Sequence, residues 1–180
     1  MSTIRRIPPP TDSRLAADYA AASHTDAFAI RLKDEAPDDA VALSRAVLEQ
    51  PPGWFRVLLG IRDAAVKPLG LKTSSAMRAH LAANGIAHVG MFRVLSSTPE
   101  EVVFGEQDRH LDFKLSILIR RPAGAAHREA VATTTVRCHN LLGRFYLAAI
   151  MPGHVLAVKS HLAAAARLHG IHERGDDVGR

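Results

Sequence analysis

Few residues in this chain tie it to a familiar chemistry. Cys138 is the single cysteine, so no internal disulfide can form and the usage fits a reducing compartment. The ten histidines include no His-Glu-x-x-His, and there is no Cys-x-x-Cys, so no metal site is expected. Gly-x-Gly-x-x-Gly, a phosphate-binding loop and Gly-x-Ser-x-Gly are also missing, and no cofactor is expected. Strongly apolar stretches are broken by charge well short of about 18 residues, which argues against a membrane span. The stretch Met1 to Arg6 leads into Pro8-Pro9-Pro10 and not into an apolar segment. That argues against export and makes the cytoplasm the expected location.

What is present is the composition of one ordinary domain. The chain has 180 residues, 47% of them hydrophobic and 23% charged, enough for a core without staples. A net charge of +5 invites a nucleic-acid reading. The excess is spread evenly, however, with 11 Lys/Arg against 9 Asp/Glu in residues 1–90 and 12 against 9 in 91–180. No basic run tracks a phosphate backbone, so nucleic acid is not an expected partner.

Residues 1–14 are polar and proline-rich and read as a flexible arm; 15–169 read as a single domain and 170–180 as a frayed tail. After a turn or two of helix from Leu15 to Ala22, Ala27 to Leu32 reads as a strand. Pro37-Asp38-Asp39 opens a helix running to about Gln50, with acid at its positive end. Pro51-Pro52 stops it and starts another, whose Trp54, Val57, Leu58, Ile61 and Ala65 repeat at helical spacing and are expected in the core. Pro68 and Gly70 end that helix. A third runs from Ser75 to Ala83 and closes at Asn84-Gly85.

Strand composition then takes over in Met91–Ser97, Glu101–Gly105, Arg109–Arg121 and Glu129–His139, separated by turn residues, an antiparallel meander. Alternation places Leu111, Phe113, Leu115 and Ile117 on a buried face, with Asp112 and Lys114 on the opposite, wet one. From Leu141 to about Leu168 the period is helical again, with Leu142, Phe145, Ala149, Leu156 and Ala163 on one face. Pro152 and Gly153 predict a kink in that helix.

Strands segregated from helices define an α+β class. The element order resembles the helix-grip fold of the START and Bet v 1 superfamily, a curved antiparallel sheet wrapped around a long, kinked C-terminal helix. A closer resemblance lies in particular words: Arg62-Asp63 with Pro68-Leu69-Gly70-Leu71-Lys72-Thr73; Gly105-Glu106 followed by Asp108-Arg109-His110-Leu111-Asp112-Phe113; and His139-Asn140-Leu141-Leu142-Gly143-Arg144 with Tyr146-Leu147, Pro152 and His154. Over roughly residues 15–165 these resemble the bacterial family domain of unknown function 2867. Gly153 departs from the bulky residue expected between proline and histidine. The family has no established chemistry and implies no catalytic residues.

The leading functional reading is a cavity between sheet and final helix that holds a small apolar or amphipathic ligand. Phe92, Val94, Phe113, Leu115, Val136, Phe145 and Ala149 would wall it, with Tyr146 and His154 as polar anchors. One alternative is an acid–base enzyme of cyclase or dehydratase type using His110, Asp112 or His139, which the hairpin brings near Arg137 and Asn140. The competing reading of that cluster is a set of cross-strand charge pairs on the wet face. Another alternative is an interaction domain whose cavity is filled by its own side chains. A homodimer is left open. A buried carboxylate–histidine pair facing the cavity would favour the enzyme.

Overall fold

The computed structural model describes residues 4–49, 53–66, 73–165 and 167. Seven strands form one antiparallel sheet: β1 (Arg5–Ile7), β2 (His24–Arg31), β3 (His88–Val89), β4 (Phe92–Ser97), β5 (Glu101–Gln107), β6 (Leu111–Arg120) and β7 (Glu129–Cys138). Their spatial order is β1-β2-β7-β6-β5-β4-β3. Hairpins join β4 through β7 in sequence, while β2 inserts beside β7 along its whole length, from His24 opposite Val136 to Arg31 opposite Glu129. The sheet is curved, and a register shift between Val94 and Ser96 adds local twist at the β4–β5 edge.

Four helices accompany it: α1 (Ala40–Leu48), α2 (Gly53–Val66), α3 (Ser74–Ala83) and α4 (Leu141–Ala165). The Asp39 carboxylate accepts from the Ala42 N–H at 2.8 Å and starts α1. Thr73 does the same for α3, and Gly85 at φ +61° turns the chain away after it. Leu43 and Val47 of α1 join Phe28, Ile30, Phe104, Ile119 and Leu162 in the main core, so α1 and α4 close the concave side together. Arg128 of the β6–β7 side fastens the loop before α1, donating to the carbonyls of Pro37, Asp34 and Ala36. A long helix packed on the concave sheet is the arrangement of helix-grip folds.

Several sequence expectations need correction. The described part of the supposed flexible arm is bound to the sheet: β1 pairs with β2, and residues 8–22 cross the convex face. Polar anchors hold it there. Buried Glu101 accepts from Ser13 Oγ (2.6 Å), Ser116 Oγ (2.5 Å) and the Arg14 N–H (2.9 Å). Glu129, also buried, binds both Arg5 and Arg120. The clean alternation expected along β6 is blurred for the same reason. Ile117 is buried, but Leu111, Phe113 and Leu115 are only half-buried because they border a cavity. Asp112 and Lys114 are half-buried too, and Lys114 Nζ reaches Asp18 of the covering segment at 2.7 Å.

The helices show a larger departure. In α2 the face turned inward is Phe55, Leu59 and Arg62, while Trp54, Val57 and Ile61 point out. Phe55 meets His161 edge-on at 4.9 Å, Leu58 lies against Gly153, and Arg62 reaches Tyr146, so α2 runs antiparallel along α4. A Cβ at position 153 would lie 2.9 Å from Leu58 Cδ2, so a larger residue there would shift the leucine tip. In α4 the buried positions are Gly143, Ala157, His161 and Leu162; Phe145 and Leu156 of the expected inner face are mostly in solvent. By length and composition Leu141–Ala164 also reaches the apolarity of a membrane-crossing helix, mean hydropathy 1.5, since only Arg144 and Lys159 interrupt it. The helix stops read at Pro51-Pro52 and at Pro68 and Gly70, the side chain of Ala65, and the tail over 170–180 lie outside the described residues.

Candidate ligand cavity

Between the concave sheet, α2 and α4 lies a cavity of 770 Å³. Phe92, Phe113 and Leu115 form its sheet wall, with Ile117, Ala132 and Val136 deeper along β6 and β7. Phe145, Tyr146, Ala149 and His154 border it from α4, and Leu58, Leu59 and Ile61 from α2. Val94 packs against the core instead. The Phe92 ring contacts both Phe113 (6.0 Å) and Phe104 (6.2 Å), giving the wall an aromatic cluster.

Three polar side chains, His24, Thr134 and His154, line part of this wall, with Asp26 buried behind them. Asp26 of β2 is buried, its side chain 2% exposed, and Nε2 of His154 lies 3.3–3.4 Å from both carboxylate oxygens. His24, two residues earlier on the same strand face, places Nε2 3.3 Å from Oδ2 but off the direction of a hydrogen bond. Burial by itself would raise the Asp26 pKa; His154 and then His24 outweigh it, holding the carboxyl below its ordinary value. Thr134 stands directly opposite Asp26 on β7, and its Oγ1 is buried. Among the described residues Thr134 Oγ1 makes no hydrogen bond, and His24 Nε2 has only its ion-pair contact with Asp26; both atoms are buried.

A second polar group sits at the α2–α4 seam. Arg62 Nε donates to the Tyr146 hydroxyl at 2.9 Å, and its ring face lies 5.9 Å from the guanidinium carbon. Asp63 accepts from Arg62 and from the N–H and hydroxyl of Ser74, so it tethers the start of α3. Burial alone would raise the Asp63 pKa; Arg62 and Ser74 bring it below the ordinary value. His161, almost fully buried beside Phe55, has its pKa pushed down by burial despite a 2.8 Å contact from Nδ1 to the Ala157 carbonyl.

The three acid–base candidates lie elsewhere. Asp112 and His139 pair at 3.0 Å on the sheet face turned away from the cavity. His110 borders the cavity, yet its Nε2 accepts from Arg109 at 2.9 Å and its Nδ1 lies against the Asn140 amide. Its backbone also orders this corner of the fold. The His110 carbonyl takes the His139 N–H at 2.9 Å, and a Cβ at Gly143 would stand 2.2 Å from that oxygen. Asn140 Oδ1 caps α4 by accepting from the Gly143 N–H at 3.0 Å. The words around His110 and His139 thus meet at the point where α4 leaves the sheet.

Asp26 and His24 went unread in the sequence, although the alternation His24, Asp26, Phe28, Ile30 puts them on the core face. Starting the strand at Ala27 left both outside it.

Fold and site together define an α+β domain of helix-grip architecture with an open, largely apolar cavity, lined in part by two imidazoles whose carboxylate partner, Asp26, is buried behind them. The chain belongs to the family described as protein of unknown function (DUF2867), whose model matches residues 19–161. No curated protein and no solved structure matches it.

Proposed function

We propose that this domain binds a small amphipathic molecule, its apolar body against Phe92, Phe113, Leu115 and Phe145 and its polar end at His24, Asp26, His154 and Thr134. The observation that carries this reading is a 770 Å³ cavity whose largely apolar lining also includes His24, Thr134 and His154. That volume falls within the range of about 300–1,000 Å³ that small-molecule sites occupy. A polar group on the ligand would match the polar side chains at this end of the cavity, which an apolar filling would not. Native mass spectrometry of protein purified from its host tests it, with a Leu115→Trp variant that fills the cavity as control. A co-purified molecule present in the wild type and lost from the variant is the expected result. Identical spectra, both free of added mass, would remove the proposal.

A second reading, an acid–base catalyst, is favoured by one observation: the Asp26 carboxylate orients His154 toward the cavity, as a buried acid orients a general base. The base would be His154, in place of His110, Asp112 or His139. Incubating the protein with its co-purified molecule in deuterated water tests this. Deuterium entering a carbon position with the wild type but not with His154→Gln supports it; no incorporation leaves binding alone.

A further inference from the structure

The two helices at the cavity mouth expose several large apolar side chains, as interaction surfaces do. Val57 (63%) and Ile61 (63%) on α2, and Leu141 (69%) and Phe145 (73%) on α4, stand in solvent together with Trp54 and Leu156. Ile61 and Phe145 flank the Arg62–Tyr146 pair and both border the cavity, so this surface is continuous with its rim. Along α4 the exposed positions Leu141, Phe145, Ala149, Pro152 and Leu156 follow one face. The span Leu141–Ala164 is as apolar as a membrane helix, yet only 11% of its most apolar window is buried.

We propose that this face docks on an anionic lipid surface, with α2 and the first half of α4 lying in the plane of the headgroups. Charge selects this occupant. The exposed cations Arg56 and Arg144 lie among the apolar residues, and α4 contains no Asp or Glu. The single acid of α2, Asp63, is held by Arg62 and Ser74. On α2, an apolar face carrying Arg56 with Trp54 at its start is the pattern of helices that lie in a membrane interface, and α4 adds an exposed apolar stripe beside it. A second copy of the chain is disfavoured, because a two-fold interface would bring Arg56 and Arg144 together, and Asp63, the one carboxylate on the two helices, is already held by Arg62 and Ser74. A spanning pose is disfavoured by the inner side of α4, where His154 is tied to Asp26 and Ala157 and Leu162 are packed down. Docking in this pose would open the cavity mouth directly to the bilayer, where amphipathic molecules are concentrated.

Co-sedimentation with vesicles tests the proposal. Wild-type protein is expected to pellet with phosphatidylcholine vesicles containing about one third phosphatidylglycerol, and to be released by high salt. Val57→Asp with Leu141→Asp, both exposed and outside the cavity lining, should weaken pelleting at least about tenfold while leaving the circular dichroism unchanged. Arg144→Ala should weaken it on the anionic vesicles alone. Wild-type protein left in the supernatant, or a double variant that pellets like wild type, overturns the proposal. So does a dimer in sedimentation velocity that the double variant abolishes, which would assign the face to a second copy. The cavity-filling Leu115→Trp variant should still pellet. Failure of vesicle binding with ligand binding intact sinks docking alone, and the converse sinks the ligand reading alone.

Discussion

Replacing Asp26 by Asn probes the polar site with almost no change of volume. The carboxylate is 2% exposed and its partners are two histidines, one on its own strand and one on α4. A hydrogen bond to a charged group contributes about 1.5–3 kcal/mol. The His154 contact at 3.3–3.4 Å is long and shared between both oxygens, which puts it at the low end. The His24 contact at 3.3 Å is poorly directed and adds a smaller share than His154. The loss expected on Asp26→Asn is therefore about 2 kcal/mol, or a fall in melting temperature of about 4–8 °C for a domain of this size. The sign with pH follows from the folded-state pKa lying below the unfolded one. The carboxylate's contribution is complete above the unfolded value of about 4 and is lost as pH falls through the folded value. Urea unfolding of wild type and variant at successive pH values reads both quantities. The stability gap should be widest above about pH 5 and shrink below about pH 4. A gap under about 0.5 kcal/mol at neutral pH, or one that widens in acid, would refute the reasoning.

Two other substitutions test different parts of the molecule. Glu101→Ala removes the acceptor shared by Ser13, Ser116 and the Arg14 amide and should cost about 3 kcal/mol; limited proteolysis should then cut within residues 8–22, which the wild type protects. His161 has a folded-state pKa below its ordinary value, so the unfolded chain takes up its proton first and stability falls as pH drops below about 6.5. His161→Leu should flatten that part of the stability–pH curve, as measured by unfolding between pH 8 and 5; an unchanged slope would mean that this imidazole is protonated as easily folded as unfolded.

Much of the fold was legible because its signals are local. Asp39, Thr73 and Asn84-Gly85 mark helix ends by hydrogen bonds a few residues long, and the β4–β7 strands are separated by turn residues that fix their hairpins. The N-terminal segment was illegible for the opposite reason. Its anchors Ser13, Arg5 and Asp12 bind Glu101, Glu129 and Arg120, partners roughly a hundred residues away, and prolines without periodicity resemble a solvated arm until those partners are placed. The cavity wall was half legible. Phe92, Phe113 and Leu115 followed from strand alternation and His154 from its place beside Pro152, whereas Asp26 depends on β2 lying next to β7, a pairing no hairpin announces.

The reversal of α2 shows how amphipathicity can mislead. Its stripe of Trp54, Val57, Leu58 and Ile61 is regular, and the ordinary inference turns such a stripe toward the protein's own core. That inference assumes the core is the most apolar surface the helix can reach. Here the near surface of α4 offers a tyrosine hydroxyl for Arg62, a glycine notch for Leu58 and a buried histidine edge for Phe55. Those three contacts fix the rotation of α2 and leave Val57 and Ile61 outside. Periodicity therefore identified the helix and its two faces, but polar and steric fit to α4 decided which face turned inward. A helix so oriented exposes its most apolar side, an arrangement that periodicity alone does not announce.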